Sequence, residues 1–522
     1  MLSKPFVNLL NWNPQLFREI KGRFKTRNVA IAISASLLCQ FIVMMFFLGK
    51  LPQEYGKGVV LYNRYCIRVE VEKNIYCTAI DWSYWWLDIF KALSWIFLAV
   101  ILIGGVYMLV ADLAKEKRLG TLNFIRLSPQ SSQKILLGKL LGVPILIYLA
   151  IAISLPLHLW ANISSGLSLS WLFGFYGVLI AVCYFLYNAS LLLAFLGVTQ
   201  AWLIATITGI FLLPIISIIK SYTDESYALI GTDGIRDLLI VSAIIILGLV
   251  LGSYWIWKAV NRRYRNPNST IISKKKSYWL MGCFHFYLLP LFLLINIGND
   301  EKSSYILWNS LIFFCTINLF WFLLVIASLS PQRQSVQDWA RYRHQQINND
   351  ETAIVKGLAI SLKQDLIWGE KSPALVAIGI NLVITGLIWS SWILLWHDNE
   401  IKLRAILTLI MSLNLILIYA AIVQLVLLMK VKKPAIWAVG ILGSLISLPP
   451  IALLLLSILP DKNSNLWLFS TFPWLSIDLN YPAIASMLIA IIGQWSVLTL
   501  VTLQLTRKIR KLGRSNSQKL LT

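Results

Sequence analysis

Charged side chains are scarce in this chain, and most of those present carry the same sign. Asp, Glu, Lys and Arg make up 13% of the 522 residues, whereas soluble domains carry about 25%. This scarcity excludes an ordinary water-soluble enzyme. Basic residues number 46 and acidic residues 23, an excess that would indicate nucleic-acid binding in a soluble protein. The positions of the charges decide between that interpretation and a membrane protein.

Residues and motifs for catalysis are also lacking. No Gly-x-x-x-x-Gly-Lys-Ser/Thr phosphate loop occurs, because Gly138-Lys139 is followed by Leu140. The four His residues are widely scattered and give no metal-ligand spacing. The apolar segments hold almost no charged residues, so the ion-binding groups typical of ion-coupled carriers are missing too. We therefore expect no catalytic residue, no metal site and no cofactor on this chain.

Long apolar runs, by contrast, are abundant, and hydrophobic residues make up 58% of the chain. About 20 apolar residues in a helix cross the hydrocarbon core of a bilayer, and continuous runs favour helices over a barrel. We predict an all-α fold, a polytopic helical membrane protein with about 12 transmembrane helices. The predicted spans are Val29–Leu48, Leu87–Val110, Leu140–Trp160, Trp171–Leu196, Trp202–Ile219, Leu238–Trp257, Trp279–Ile297, Ile306–Leu329, Ala374–Trp396, Ala405–Met429, Ala435–Leu459 and Ala483–Leu505.

Lys and Arg follow a pattern along these spans that predicts the orientation. With the N-terminus in the cytoplasm, the inner segments hold 34 of the 46 basic residues but only 8 of the 23 acidic residues. Positive charge concentrates on the cytoplasmic side of membrane proteins. We therefore expect a multi-pass protein of the plasma (inner) membrane with both termini in the cytoplasm. Topology explains the basic excess, so we expect no nucleic-acid partner.

Polar segments divide the chain into four predicted parts. The first is a cytoplasmic tail with an amphipathic helix, because Asn13-Pro14 is a typical helix start and Gln15–Arg27 mixes apolar and basic residues at helical spacing. The alternative for this tail is a basic stretch with incidental apolar residues. The four parts are the tail over 1–28, a six-span bundle over 29–260, a basic linker over 261–277, and a second six-span bundle over 278–522 with a cytoplasmic loop over 329–372.

Two of the six cysteines differ from the others in position. Cys66 and Cys77 lie eleven residues apart in the predicted external loop 49–86, and the other four lie within apolar spans. Disulfides form outside the reducing cytoplasm. The pair is therefore a candidate disulfide that staples a hairpin in the largest outer loop, or else two unpaired thiols.

The predicted cytoplasmic segment 112–139, between the second and third spans, contains helical elements of its own. Gly120-Thr121 is a break that caps a short helix over Thr121–Leu127, and Ser128-Pro129 ends this helix. Ser131 or Ser132 then caps the next helix, which continues into the third span. The sequence predicts a short helix across the cytoplasmic face. Charges that a partner can bind lie on Glu116, Arg118 and Arg126.

The same residues resemble a known family. Glu116-x-x-x-Gly120-Thr121-Leu122, then Ser128-Pro129, then Leu137-Gly138-Lys139 at the head of the next span is similar to the permease subunits of ABC-2 type ABC transporters. In that family an amphipathic elbow helix precedes a six-span core, and a coupling helix between spans two and three contacts a separate ATP-binding subunit. By this resemblance, which covers residues 10–265, the elbow is Gln15–Arg27 and the coupling segment includes Glu116, Gly120, Thr121, Leu122 and Pro129.

Two features depart from the pattern of that family. Position 123 is Asn, where the family often has an acid. The loop between spans ten and eleven is only Lys430–Pro434, which is too short for a second coupling helix. Residues 278–522 are therefore either a diverged second permease half or an accessory bundle. In the second case, two copies of the chain would pair through their first halves.

The resemblance implies a function, the permease subunit of an ATP-driven transporter and more specifically of an exporter. Such a subunit is not itself an enzyme, because a cytosolic ATP-binding subunit holds ATP and Mg²⁺ and hydrolyses the ATP. We expect that subunit as a partner docked on segment 112–139, and a homodimer or hetero-oligomer in the membrane. The alternatives are an ATP-independent secondary carrier or lipid scramblase, and a membrane scaffold or enzyme of another kind.

Overall fold

The computed structural model describes residues 12–52, 63–71, 74–210, 232–297, 303–349, 355–396, 399–459, 464–476 and 484–513. It is 83% helical, and within these ranges ten helices are long and apolar enough to cross a membrane. The predicted helical, many-span architecture is confirmed at this level. Of the other two predicted spans, Trp202–Ile219 continues past Ile210 and so lies partly outside the described residues, and Trp279–Ile297 lies within one helix.

The chain divides into two compact units, Met1–Pro267 and Asn268–Thr522. This boundary falls inside the basic linker that the sequence predicts over 261–277. The helices of each unit carry Lys and Arg at one end of the bundle, which we call the basic end. In the first unit this end includes Lys117 and Arg265, and in the second it includes Lys274 and Lys511.

The first unit is a bundle of helices with one β-hairpin. Its elements are α1 (Pro14–Arg23), α2 (Thr26–Leu48), β1 (Cys66–Val71), β2 (Asn74–Ile80), α3 (Trp82–Leu98), α4 (Gly105–Arg118), α5 (Thr121–Arg126), α6 (Ser132–Gly142), α7 (Ile145–Ser164), α8 (Leu169–Leu196), α9 (Ala201–Ile210) and α10 (Thr232–Arg265).

A π-helical turn, Ala99–Gly104, joins α3 to α4, so that the two form a single helix of 37 residues. Tyr187 of α8 packs against this turn, and its hydroxyl donates a hydrogen bond of 2.7 Å to the Ile101 carbonyl. A Cβ atom on Gly105 would overlap the Tyr187 ring. The wider turn and the missing side chain thus make room for a buried tyrosine in the middle of the bundle.

The β-hairpin is the part of the first unit that departs from an all-α fold. Strands β1 and β2 pair antiparallel with Cys66 opposite Ile80, and a disulfide joins Cys66 to Cys77. The hairpin leads directly into α3, where the Tyr65 hydroxyl donates a hydrogen bond of 2.8 Å to Asp88. The disulfide therefore joins the two strands of the hairpin, which lies at the end of the bundle opposite the basic end.

The second unit is helical throughout the described residues. Its elements are α11 (Lys274–Ile297), α12 (Ser303–Leu329), α13 (Arg333–Asn349), α14 (Val355–Trp368), α15 (Leu375–Leu394), α16 (Asn399–Leu427), α17 (Pro434–Leu455), α18 (Ser464–Trp467), a 3₁₀ turn (Pro473–Ser476) and α19 (Ile484–Gly513).

Aromatic side chains and satisfied polar groups fill the core of the second unit. Trp389 of α15 stacks on Phe314 of α12 with ring centroids 3.6 Å apart, and its indole N–H donates to His285 Nδ1 of α11. His285 Nε2 is also hydrogen-bonded to Thr385, so this buried histidine has partners on both ring nitrogens. It packs in the core and does not meet the spacing of a metal site.

A second polar cluster lies at the basic end of this unit, where α11 begins. Lys274 is 3% exposed, and its Nζ donates to Ser372 Oγ and to two backbone carbonyls, those of Leu366 and Pro373. Burial lowers the pKa of Lys274 from 10.5 to about 8, although Asp365 opposes this change. The ammonium group thus holds the end of α14 against the start of α11 at a cost in desolvation.

Candidate partner-docking site

The short helix α5 joins α4 to α6 at the basic end of the first unit. Gly120 has a φ of 72°, in the left-handed region that glycine adopts without steric cost, and so turns the chain sharply after α4. The Gly120 carbonyl accepts a hydrogen bond from Asn123 N at the start of α5. The hydroxyl of Ser131 then caps α6 by accepting a hydrogen bond from Lys134 N.

The two faces of α5 have opposite surroundings. Leu122 and Ile125 are each 6% exposed and pack into the core of the first unit. Phe124 is 80% exposed and Leu127 is 85% exposed, and Leu119, just before the helix, is 63% exposed. Helix α5 is therefore anchored by one face and presents three large apolar side chains on the surface.

Helix α1 packs on α6 with the two backbones in close contact, because two glycines on α6 leave room for it. A Cβ atom on Gly138 would lie 2.7 Å from Leu16 N, and one on Gly142 would lie 2.5 Å from the Glu19 Cβ. Asn13, which caps α1, also donates through its side chain to the Lys134 carbonyl at 2.9 Å. The helix expected over Gln15–Arg27 therefore lies on α6, and it ends earlier, at Arg23.

A buried ion network joins α1, α4 and α6 around Lys139. The Lys139 side chain is 1% exposed, and its Nζ lies 2.8 Å from Asp112, 2.8 Å from Glu116 and 3.4 Å from Glu19. Two arginines of α1 complete the network: Arg18 lies 3.1 Å from Glu116, and Arg23 lies 2.7 Å from Asp112. Three carboxylates thus meet three cations, so the network is neutral as a whole.

Electrostatics keep Lys139 charged in this position. Burial works to lower its pKa, but Asp112, Glu19 and Glu116 outweigh burial, so that the pKa lies above the ordinary value of 10.5. The same three carboxylates lie within 4.8 Å of one another, as metal ligands do. The Lys139 ammonium already lies among them and neutralises them, so we assign this cluster to holding helices together rather than to metal binding.

The far end of α5 is tied to the last turns of α10. The guanidinium of Arg126 lies over the Tyr264 ring, 5.4 Å from its centroid. After the helix, the Ser132 hydroxyl is hydrogen-bonded to Asn261 and accepts a hydrogen bond of 2.9 Å from Arg265 Nε. Segment 112–139, which includes the end of α4, is therefore also bonded to α10.

The predicted site residues divide into exposed and internally bonded groups. Arg118, Gly120, Thr121 and Pro129 are exposed, Leu122 is buried, and Ser128 is half-buried in the turn after α5. The carboxylate of Glu116, which we expected to offer its charge to a partner, is bound within the unit by Lys139 and Arg18.

Arg126 is also in contact with another residue of the unit. It is half-buried on Tyr264, and burial lowers the pKa of its guanidinium from the ordinary value, although the Tyr264 hydroxyl opposes this change. Only part of its guanidinium is therefore exposed for a partner. The side-chain oxygen of Asn123 accepts a hydrogen bond of 3.4 Å from Arg126.

Other residues of the site did not follow from the sequence interpretation. Phe124 lies in the short helix and Leu127 directly follows it, but apolar residues in a chain this hydrophobic do not by themselves indicate exposure. Gly138 and Gly142 form a Gly-x-x-x-Gly pattern, which is typical of closely packed helices and is the signal that identifies the α1 contact. Lys139 belongs to the Leu137-Gly138-Lys139 motif, but that motif does not indicate that its ammonium group is buried among three carboxylates.

Comparison with family models, with curated proteins and with solved structures gives no match to this chain. The likeness to ABC-2 permeases therefore depends on the short motif around Gly120 and on its position after the second predicted span.

Proposed function

We propose that this protein is the permease subunit of an ATP-driven ABC transporter, an exporter of the ABC-2 type. In this proposal it lies in the plasma (inner) membrane with both termini and its basic end in the cytoplasm. The observation that carries the proposal is the short helix α5, with Leu119, Phe124 and Leu127 exposed around it. A cytosolic subunit that binds ATP and Mg²⁺ covers these side chains, and this chain itself hydrolyses nothing.

The composition of the exposed surface supports docking by a protein. Large apolar side chains outside the spans gain about 1.5–3 kcal/mol each when they are fully buried. Exposed Lys115, Lys117 and Arg118 lie in the last turn of α4, directly before them in the chain, and offer a basic rim to acidic groups of a partner. An apolar centre with a charged rim is the usual anatomy of a protein interface.

The ion network and a hydrogen bond link the helices next to this surface to one another. Lys139 and the three carboxylates hold α1, α4 and α6 together, and Ser132 holds the start of α6 to the end of α10. ATP-bound and ADP-bound states of the partner bind α5 with different free energies. That difference shifts the equilibrium between arrangements of the spans and so drives transport.

The test removes the exposed apolar side chains and follows the partner. The tagged full chain is expressed with its neighbouring genes and purified in mild detergent, and Mg²⁺-dependent ATP hydrolysis and phosphate-loop peptides are measured in the eluate. For the double variant Phe124→Asp/Leu127→Asp, we expect the ATP hydrolysis and the amount of phosphate-loop peptides in the eluate each to fall at least tenfold. The control Ser131→Asp/Gln133→Asp adds the same charge at two exposed positions one turn further on and is expected to retain them.

Equal ATPase recovery from the two double variants would show that α5 is not the docking site. The ATP-independent alternative has its own measurement, in which the purified chain alone is reconstituted in vesicles that contain fluorescent lipid or solute. Movement of either without any ATPase would establish a scramblase or a secondary carrier instead.

A further inference from the structure

Two neighbouring pairs of helices in the first unit are interrupted at the same level. The long helix formed by α3 and α4 contains the π-turn Ala99–Gly104, and α6 and α7 are separated only by Val143-Pro144. A Cβ atom on Gly104 would lie 3.2 Å from Cδ1 of Ile147, which is one turn after Pro144. The two interruptions therefore lie side by side.

At each interruption, a tyrosine hydroxyl is bonded to the backbone. Tyr187 of α8 donates to the Ile101 carbonyl of the π-turn at 2.7 Å. Pro144 has no N–H and so cannot donate to the Leu140 carbonyl as another residue in a helix would. The Tyr148 hydroxyl donates to that carbonyl instead, at 3.3 Å. Side-chain hydrogen bonds therefore hold both interruptions, in addition to the hydrogen bonds of the helices themselves.

The buried apolar side chains of the first unit divide into two clusters at this level. The hairpin-end cluster includes Phe90 of α3 and Ala161 of α7, and the basic-end cluster includes Val106 of α4 and Leu136 of α6. Leu98, the last residue of α3, already belongs to the basic-end cluster. Side chains within such a cluster are closely packed and resist deformation. Each cluster is therefore expected to move as one body.

Buried polar contacts also join the helices on each side of the interruptions. On the hairpin side, His158 of α7 is hydrogen-bonded through Nε2 to the Ser94 hydroxyl of α3 at 2.8 Å, and both side chains are buried. On the basic side, Nζ of Lys139 in α6 lies 2.8 Å from both Asp112 and Glu116 of α4. The interruptions thus separate two groups of helices that are each bonded internally.

We propose that the π-turn and the Val143-Pro144 break form one hinge, about which α4, α5 and α6 pivot together relative to α3 and α7. Adjacent interruptions let two helices bend at the same level, and a hinge absorbs a movement in a few backbone angles. In the transporter proposed above, on which this role rests, a partner docked on α5 moves α4 and α6 together. The hinge itself belongs to this chain and opens without a partner.

The test measures hydrogen–deuterium exchange of the purified full chain in detergent, with no ATPase present. Peptides that cover the two interruptions, 99–105 and 143–148, are expected to exchange about tenfold faster than peptides 89–97 of α3 and 150–158 of α7. All four lie within the predicted spans, so depth in the membrane does not by itself favour the interruptions. Equal exchange in all four would show that the interruptions do not open and would overturn the hinge.

The two tyrosine hydroxyls provide a variant with a matched control. In Tyr148→Phe/Tyr187→Phe each interruption loses one hydrogen bond, and we expect the exchange over 99–105 to rise about fivefold. The control Tyr107→Phe/Tyr184→Phe removes two hydroxyls from exposed tyrosines of α4 and α8 and should leave this exchange unchanged. No rise in the first variant, or an equal rise in the control, would show that these hydrogen bonds do not hold a hinge closed.

Pro144→Ala tests whether the two interruptions act together, and it serves also if the tyrosine variant does not fold. Alanine supplies the missing N–H to the Leu140 carbonyl and favours a continuous helix, so exchange over 99–105, in the other long helix, should fall about threefold. Unchanged exchange there would show that the interruptions are independent and would overturn the hinge. Because no ATPase is present, these results stand apart from the docking at α5, whose failure would leave them unchanged.

Discussion

At the basic end of the first unit, one charged side chain is buried. Lys139 is almost fully buried, yet it remains charged because three carboxylates lie within 3.4 Å of its Nζ. Buried ion pairs gain little overall, but removal of one member is costly, because the charges that remain are buried without a counterion. Lys139 is therefore the residue of this network whose loss should have the largest effect.

We predict that Lys139→Met lowers the free energy of unfolding by about 3 kcal/mol, because three carboxylates then share only the arginines of α1. Thermal unfolding of the purified chain in detergent measures this effect. Lys134→Met is the matched control, since Lys134 is on the same helix but exposed. Equal melting temperatures for the two variants would contradict a central role for Lys139.

The lowered pKa of Lys274 in the second unit predicts that the stability of the chain increases with pH. Its pKa is about 8 in the folded chain and 10.5 ordinarily, so between these values the unfolded chain binds the extra proton. Stability should therefore rise with pH from 8 to 10.5, by up to about 3 kcal/mol. The pKa of Lys139 is raised, so the stability that its charge contributes to the folded chain is lost only above pH 10.5.

The measurement compares the wild type with Lys274→Met in denaturant unfolding at pH 7.5, 9 and 10. The wild type should gain stability relative to the variant as the pH increases. A constant difference between the two chains over this range would show that Lys274 does not change its protonation state there.

At the scale of elements, the sequence predicts where helices begin if local chemistry determines the start. Asn13-Pro14 and Gly120-Thr121 have strong local preferences, and helices α1 and α5 begin at these positions. The sequence predicts that α1 continues to Arg27, four residues beyond its end at Arg23, because basic and apolar residues continue without a helix-breaking residue. What α1 packs against depends on tertiary contacts, and local propensity does not specify them.

The contact between α1 and α6 gives a prediction at this scale. Gly138→Ala should displace α1 and cost about 1–3 kcal/mol, because the new Cβ would lie 2.7 Å from a backbone nitrogen. Gly22→Ala is the control, since a Cβ atom there meets nothing within 4 Å. Trypsin cleavage at Lys21 and Arg23, together with the melting temperature, reports whether α1 has detached. Unchanged cleavage in Gly138→Ala would show that the two helices adjust without loss of contact.

At the scale of the whole molecule, composition and hydropathy predict the architecture but not the candidate site. Ten apolar helices follow from runs that are visible in the sequence. The ion network does not, because Glu19, Asp112 and Lys139 are far apart in the chain and meet only when α1 lies on α6. The sequence predicts that Glu116 offers its charge to a partner, whereas in the structure Lys139 and Arg18 bind its carboxylate within the unit.

Orientation connects the whole molecule to the proposed function, because α5 can meet a cytosolic ATPase only if the basic end faces the cytoplasm. We expect an engineered Gln133→Cys, at the start of α6, to react with a membrane-impermeant maleimide only after cells are permeabilised. Ser170→Cys, at the start of α8 and at the opposite end of the unit, should react in intact cells. Both positions are exposed, and the unmodified chain gives the background from its four free cysteines. The reverse pattern would place α5 outside the cell, where no ATP-binding subunit could drive it.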